Sequence, residues 1–307
     1  MNCRTNPTAM ATESKSVLET LQSGTAWLEK KDVPEARRNM EYLLAHVLGV
    51  KRLDLYLQFD RPLDEKELAP LRVLLKRRGT REPLQHLLGT VDFAGEFFNV
   101  DNRALIPRPE TEELVMRLLR DGMPGAGRIL DVGCGSGVLG LSLAKAWGAQ
   151  GVCVDLVDTS PLALALATEN AQKLDLLPSS WRMLESDLFS AVSGCRYDLV
   201  VANLPYIPTG ELPSLEAEVQ FDPMLALDGG DDGLSLLRRF AAQVSDFLHP
   251  HGKVALEVGA GQGPAVAALL AEAGLHEAHW SADYAGVDRF VFAHLLGQSH
   301  SPASTEN

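Results

Sequence analysis

The sequence has no long hydrophobic run, few cysteines and little positive charge in its C-terminal two thirds. No apolar stretch approaches the roughly 20 residues that cross a bilayer, although 46% of the 307 residues are hydrophobic. The N-terminal residues also lack the hydrophobic segment and cleavage site of a secretory signal. The sequence therefore predicts a protein without a membrane span that is long enough for two domains.

The four cysteines, one of them Cys3, form no C-x-x-C pair. Neither the cysteines nor the histidines show the spacing of metal ligands. This pattern predicts reduced thiols in the cytoplasm, with no disulfide and no metal site.

Positive charge is concentrated near the N-terminus. Residues 1–103 hold 16 Lys and Arg against 15 Asp and Glu, whereas residues 104–307 hold 12 against 26. A broad nucleic-acid surface needs clustered basic side chains that displace counterions from phosphates. DNA and structured RNA are therefore poor candidates for a direct substrate.

The chain divides by its patterns into five segments. Polar ends at residues 1–15 and 298–307 predict disordered tails. Apolar residues at helical spacing predict a small helical domain over residues 16–82. Residues 83–107, with glycine among aromatic and β-branched residues, predict a hairpin linker. Residues 108–297 form the main domain.

Strand and helix patterns alternate within the main domain. Apolar, β-rich runs predict strands at 128–132, 152–157, 182–186, 197–202, 253–258 and 289–293. Strands separated by helices imply right-handed crossovers and a parallel, doubly wound α/β sheet. The last run can instead form an antiparallel hairpin at the edge.

Two motifs follow the first two strands of this domain. A glycine-rich loop opens a helix, where glycines permit a tight turn and let a ligand approach bare backbone amides. Asp158 ends the next strand, where a carboxylate can accept both hydroxyl hydrogens of a ribose. A structural turn and a helix cap are the alternatives. The candidate residues, which fit either a nicotinamide dinucleotide or S-adenosylmethionine, are Gly133, Cys134, Gly135, Ser136, Gly137 and Asp158.

A tetrapeptide, Asn203-Leu204-Pro205-Tyr206, follows the fourth strand. The lone pair of an amide or aromatic NH2 is delocalised, so such a nitrogen attacks a methyl group poorly unless it is oriented. The Asn203 side-chain oxygen and the Leu204 carbonyl can each accept one N–H, which leaves the lone pair aimed at the methyl carbon. Pro205 restricts Leu204 to extended backbone, and Tyr206 can stack on the planar group. Unless this is an ordinary turn, the residues predict a pocket for a planar NH2 on a base or an amide.

The tetrapeptide is similar to the Asn-Pro-Pro-Tyr signature of class I S-adenosylmethionine-dependent amino-methyltransferases. More of the chain, roughly residues 34–296, resembles the peptide chain release factor glutamine N5-methyltransferases. The segments that carry this resemblance, in the family's order, are residues 81–87, 105–112, 131–137, 186–187, 221–223 with 226–233, and 256–259.

This resemblance implies a Rossmann-like class I methyltransferase fold, with a seven-stranded sheet and a helical N-terminal domain that recognises the substrate. It implies that the glycine loop and Asp158 hold S-adenosylmethionine with Asn203, and that residues 203–206 bind the substrate amide. Leu204 replaces the first proline of the signature, but its backbone carbonyl is retained. Leu188 stands where some members place tryptophan beside the adenine, and Asp187 is the alternative contact, through the adenine amino group.

The substrate that the resemblance implies is the glutamine of the Gly-Gly-Gln motif in class I release factors, methylated at N5 in the cytoplasm. One alternative is a glutamine of a ribosomal protein. Another is an adenine N6 or guanine N2 of nucleic acid, since that NH2 is also conjugated, although the low basic content argues against it. A third is a non-catalytic or nicotinamide-binding module.

Overall fold

A computed structural model of the chain describes residues 15–122 and 127–297. The chain forms two compact units, divided between Leu88 and Gly89. The predicted tails lie outside the described residues, except for Lys15, and so does Cys3. Within the described ranges, no helix is long and apolar enough to span a bilayer.

The N-terminal unit is a bundle of helices with its own apolar core. Its helices are α1 (Val17–Glu29), α2 (Ala36–Leu48), α3 (Glu65–Arg78) and α4 (Leu84–Leu88). The Ser16 hydroxyl caps α1 by accepting the Glu19 amide. Helices α1 and α2 approach closely because Gly24 has no side chain: a Cβ there would lie 2.3 Å from the Met40 sulfur.

The C-terminal unit consists of a hairpin, a sheet and helices. The hairpin strands are β1 (Thr90–Phe93) and β2 (Glu96–Asn99). The sheet strands are β3 (Arg128–Val132), β4 (Cys153–Asp158), β5 (Trp181–Glu185), β6 (Tyr197–Asn203), β7 (Leu248–Glu257), β8 (His276–Ala282) and β9 (Asp288–His294). The helices are α5 (Pro109–Asp121), α6 (Val138–Trp147), α7 (Pro161–Lys173), α8 (Ser235–Val244) and α9 (Gly263–Glu272).

The seven strands of the sheet follow the order β5-β4-β3-β6-β7-β9-β8. The first five in this order pair in parallel, whereas β9 pairs antiparallel with both β7 and β8. The Rossmann-like methyltransferase fold is thus confirmed, with an antiparallel hairpin at one edge. The order reverses between β3 and β6, and ligands of such sheets bind at this switch point, beyond the carboxyl ends of the strands.

The sheet is buried on both faces, which explains why its middle strands are continuous apolar runs. Residues such as Ile129 and Val201 pack with α5, α6 and α7 on one face. Leu130 and Val200, their neighbours in sequence, pack with α8 and α9 on the other. This two-sided packing holds the carboxyl ends of β3 and β6 in fixed positions.

A buried acid, Asp155 on β4, links that strand to β6. It is 1% exposed and accepts a hydrogen bond of 2.7 Å from the Tyr197 hydroxyl. Burial raises the pKa of Tyr197, so the phenol remains a donor.

We expect Tyr197→Phe to lower the free energy of unfolding by about 1.5 kcal/mol, because a bond to a charged group is lost. Urea titration of this variant and of Tyr284→Phe, whose side chain is 79% exposed, would measure the loss; equal midpoints for both would contradict it.

Candidate active site

A cavity of about 470 Å³ opens at the switch point of the sheet, within the range of ~300–1,000 Å³ for small-molecule pockets. Most of the predicted site residues line it. They are Gly133, Cys134, Gly135, Ser136, Asp158, Asp187, Leu188, Asn203, Leu204 and Pro205. Gly137 and Tyr206, the remaining predicted residues, are not among the described residues of its wall.

A second cavity, of about 830 Å³, lies beside α5 and the strands β7 to β9. Its wall contains none of the predicted site residues. From β6 it takes Asp198 and Leu199, at the amino end of that strand, whereas ligands of this sheet type bind beyond the carboxyl ends. Position in the topology, and not volume, therefore identifies the candidate site.

The glycine-rich loop is tied to the end of β4. The two amides that follow β3 both donate to the Val157 carbonyl, at 2.8 and 3.0 Å, and the Gly135 amide donates to Asp158 at 2.9 Å. These three amides are therefore bonded within the protein, and a ligand bound at free amides where α6 begins stays a prediction. Gly135 nevertheless leaves room for a ligand: its φ is +53°, and a Cβ there would meet no atom closer than the Ala104 Cβ, 3.8 Å away.

Two other glycines of the loop are required by packing. Gly133 has a φ of +71°, and a Cβ there would lie 3.0 Å from Cδ2 of Leu204. Gly137 has a φ of +81°, and a Cβ there would lie 2.7 Å from Leu141. The buried Leu204 side chain thus packs against the glycine loop, so the two predicted motifs are in contact.

Asp158 has capacity for further hydrogen bonds. Its oxygens accept the amides of Gly135 and Ser160, each at 2.9 Å, and a carboxylate offers about four acceptor positions. The capacity that remains can accept from the hydroxyls of a ribose diol. Helix α7 is capped by Ser160, whose hydroxyl accepts the Ala163 amide at 3.2 Å. Burial raises the pKa of Asp158, with the backbone bonds opposing this effect.

Asp187 and Leu188 lie side by side on the wall. One oxygen of Asp187 accepts the Arg239 guanidinium at 2.7 Å. Leu188 is 4% exposed and has a φ of +49°. A left-handed backbone at a leucine is strained, and such strain clusters at ligand-binding sites. Leu188 therefore gives the cavity an apolar surface and Asp187 a polar one.

Two residues outside the predicted set are connected to Asn203 by hydrogen bonds. The Asn203 side-chain amide donates to the Thr111 hydroxyl at 3.1 Å, and this hydroxyl donates to the Glu257 carboxylate at 2.6 Å. Thr111 lies in the first turn of α5, and Glu257 ends β7 beside Asn203. Burial raises the pKa of Glu257 to about 7. An acid at the end of an apolar strand was the available signal in the sequence.

Another buried acid, Asp222, fixes the segment before α5. It accepts the Ile106 amide at 3.2 Å and the Arg108 guanidinium at 2.8 Å. Burial raises the pKa of Asp222 to about 6, with Arg108 opposing this effect. These bonds hold in place a loop whose Pro223 and Leu225 line the cavity.

Tyr206 packs beneath the site, against the core on the α8 and α9 side of the sheet. Its carbonyl accepts the Gln262 side-chain amide at 3.0 Å. Burial raises the pKa of Tyr206 to about 12, with Glu257 adding to the effect. Stacking of this ring on a substrate stays a prediction.

The chain is similar to known methyltransferases over most of its length. Residues 19–89 match the family model of the PrmC N-terminal domain, and residues 110–214 match that of the methyltransferase small domain. The catalytic domain of hMettl16, solved in complex with the MAT2A 3′UTR hairpin 1, has a TM-score of 0.57 at 14% identity. That likeness covers 87% of this chain and 93% of the other, and it concerns the fold alone.

Two curated relatives identify the family. The release factor glutamine methyltransferase of Geobacter sulfurreducens is 40% identical over 266 residues, which are 86% of this chain and 92% of the relative. The MTRF1L release factor glutamine methyltransferase of Homo sapiens is 36% identical over 259 residues, 79% of this chain and 76% of the relative. The chain therefore belongs to the release factor glutamine methyltransferase family, with S-adenosylmethionine as the methyl donor.

Proposed function

We propose that this protein methylates the side-chain N5 of the glutamine in the Gly-Gly-Gln motif of class I peptide chain release factors, in the cytoplasm. One observation carries the proposal. In a chain 40% identical to a release factor glutamine methyltransferase, a single cavity wall unites the glycine loop, Asp158 and the residues Asn203, Leu204 and Pro205.

Bound S-adenosylmethionine supplies an electrophilic methyl group. The described residues fit this molecule: Gly135 leaves space beside the cavity, and Asp158 has acceptor capacity left for the ribose. Leu188 offers an apolar surface for the adenine, and Asp187 offers an acceptor for its amino group. These roles explain why the site combines a glycine with open space beside it, Gly135, with two carboxylates.

Asn203 and Leu204 orient the attacking nitrogen. The Asn203 side-chain oxygen accepts one N–H of the glutamine amide and the Leu204 carbonyl accepts the other, so the lone pair points away from both. The new N–C bond forms as the sulfur–methyl bond breaks. The nitrogen then loses a proton to water, because it becomes acidic on methylation, and no strong base is needed.

The cavity mouth favours a protein substrate. Met224 and Leu225 are 60% and 64% exposed on one loop, and Leu225 also lines the cavity. Phe221, on the same loop, is 39% exposed. An exposed apolar patch of this kind suits a peptide, whereas a nucleic-acid backbone requires clustered basic side chains.

Mass spectrometry tests the proposal. A purified class I release factor, incubated with this protein and S-adenosylmethionine, should gain the mass of one methyl group on the peptide that carries the Gly-Gly-Gln motif. A release factor with alanine in place of that glutamine is the control and should gain nothing. Methylation of a ribosomal protein, RNA or DNA in place of the release factor would overturn the proposal.

A further inference from the structure

Asn203 is one end of a line of three polar side chains that come from different elements. Its amide nitrogen donates to Thr111, 3.1 Å away, and Thr111 donates to Glu257, 2.6 Å away. Thr111 and Glu257 are 4% and 1% exposed. Such buried hydrogen bonds are costly to break, because each group would lose its partner without gaining water.

The chemistry of the three groups gives the line one direction. An ionised carboxylate has no proton and can only accept. The Thr111 hydroxyl has a single proton, and it is used in the bond to Glu257. The Thr111 oxygen must therefore accept from Asn203, so the NH2 of the Asn203 carboxamide faces Thr111. Its oxygen is then directed away from the Thr111 side of the carboxamide.

We infer that Thr111, supported by Glu257, is a positioning residue that keeps the Asn203 carboxamide oxygen turned toward the substrate nitrogen. This inference rests on the proposed function. Rotating the carboxamide by half a turn would place its NH2 against the NH2 of the substrate, donor against donor. Without a directional partner the two orientations differ little in size and shape, so Asn203 alone does not select the productive one.

Substitution of Thr111 tests this role. Thr111→Val keeps the shape and removes the hydroxyl, and it should lower kcat by about tenfold or more, the scale of one buried hydrogen bond. The Kd for S-adenosylmethionine should change by less than about twofold, since the cofactor pocket is intact. Thr111→Ser retains the hydroxyl and should restore kcat to within about threefold of wild type. If Thr111→Val and Thr111→Ser are equally active, the inference is wrong.

Thr168→Val is a matched control. The Thr168 hydroxyl donates to the Leu164 carbonyl at 2.8 Å within α7, so this change also removes one hydroxyl bond from the C-terminal unit. It should leave kcat within about twofold of wild type. A tenfold loss here, equal to that of Thr111→Val, would show a general effect of hydroxyl removal and would overturn the inference.

A double-mutant cycle separates positioning from direct contact, because Thr111 also lines the cavity. If Thr111 acts through Asn203, adding Thr111→Val to Asn203→Ala should lower kcat further by less than about threefold. The full tenfold loss in the Asn203→Ala background would mean that Thr111 acts independently, and the inference would fail.

The pH dependence of kcat gives another readout. Burial and the nearby Glu110 raise the pKa of Glu257 to about 7, opposed by Thr111, Arg289 and Asn203. Its ionised fraction therefore grows between pH 6 and pH 8, and the rate should rise over the same interval. Below that pH the protonated acid donates to Thr111, and the direction of the line is no longer fixed.

Glu257→Gln should be about as slow at pH 8 as the wild type is at pH 6, and its rate should not rise between these pH values, because a neutral amide, like the protonated acid, can donate to Thr111. Burial also raises the pKa values of Asp131 and Asp222, to about 7 and about 6. If either of these acids caused the rise of kcat with pH, the rise would be the same in Glu257→Gln as in the wild type. The same rise of kcat between pH 6 and pH 8 in Glu257→Gln would therefore refute the role of Glu257 in positioning Asn203. Absence of release factor methylation by the wild type would instead refute the proposed function.

Discussion

Asn203→Ala should methylate a release factor at least about 100-fold more slowly than the wild type, the scale of losing one positioned polar group at a reacting centre. The variant removes the acceptor that holds one N–H of the substrate amide. That amide can then rotate, and its lone pair is no longer aimed at the methyl carbon. The expected loss is in kcat, measured with the release factor and S-adenosylmethionine both saturating.

Cofactor binding separates this effect from damage to the fold. Calorimetry of Asn203→Ala with S-adenosylmethionine should give a Kd within about threefold of wild type, since the glycine loop and Asp158 are untouched. Asn102→Ala, a change at an exposed asparagine of the same unit, should not alter the rate. Near-normal turnover by Asn203→Ala would show that the nitrogen is oriented by other groups.

Asp158→Ala should weaken the binding of S-adenosylhomocysteine by about 50-fold or more. Two hydrogen bonds from a ribose to a carboxylate would be lost, each worth about 1.5 kcal/mol or more. The amides of Gly135 and Ser160 would lose their acceptor as well. The Kd measured by calorimetry combines both effects.

A ligand without the 2′-hydroxyl separates the two effects. The wild type should bind 2′-deoxy-S-adenosylhomocysteine about tenfold more weakly than the parent compound, whereas Asp158→Ala should bind the two equally. The same discrimination by both proteins would exclude a bond between Asp158 and the ribose.

NAD should give no saturable binding to the wild type. Saturable NAD binding that is abolished in Asp158→Ala would instead support the nicotinamide alternative.

The continuous apolar strands of the sheet were predictable from the sequence. The predicted bounds of β3 coincide with the observed ones, and those of β4 and β6 differ by one residue. Glycines and proline mark the turns after these strands, so the glycine loop and the tetrapeptide at 203–206 could be placed at the carboxyl ends. Local pattern was sufficient because burial on both faces leaves a strong local signal.

The partners of Asn203 could not be found in this way. In the sequence, Thr111 lies 92 residues from Asn203. Glu257 lies 146 residues from Thr111. Only the strand order, which puts β7 beside β6 and α5 over them, brings the three side chains together. Bonds of this kind depend on topology: the sequence shows an acid at the end of an apolar strand, Glu257, but no period or spacing reveals which side chains this acid meets.

Strand β8 was missed because its sequence is polar. His276-Glu-Ala-His-Trp-Ser-Ala282 lacks the apolar run of the central strands, and all seven of its residues are half-buried or exposed. It lies at the edge of the sheet and pairs with β9 alone. An edge strand needs no continuous apolar sequence, so the signal used for the other strands is absent.

The polarity of β8 also protects the molecule from its neighbours. The free side of an edge strand exposes unpaired backbone N–H and C=O groups, which can pair with a strand of another molecule and begin aggregation. On β8 these groups are flanked by Glu277 and by the imidazoles of His276 and His279, and the hydration of these polar side chains opposes the approach of a second strand. The polarity that hid this strand in the sequence therefore opposes growth of the sheet at its β8 edge.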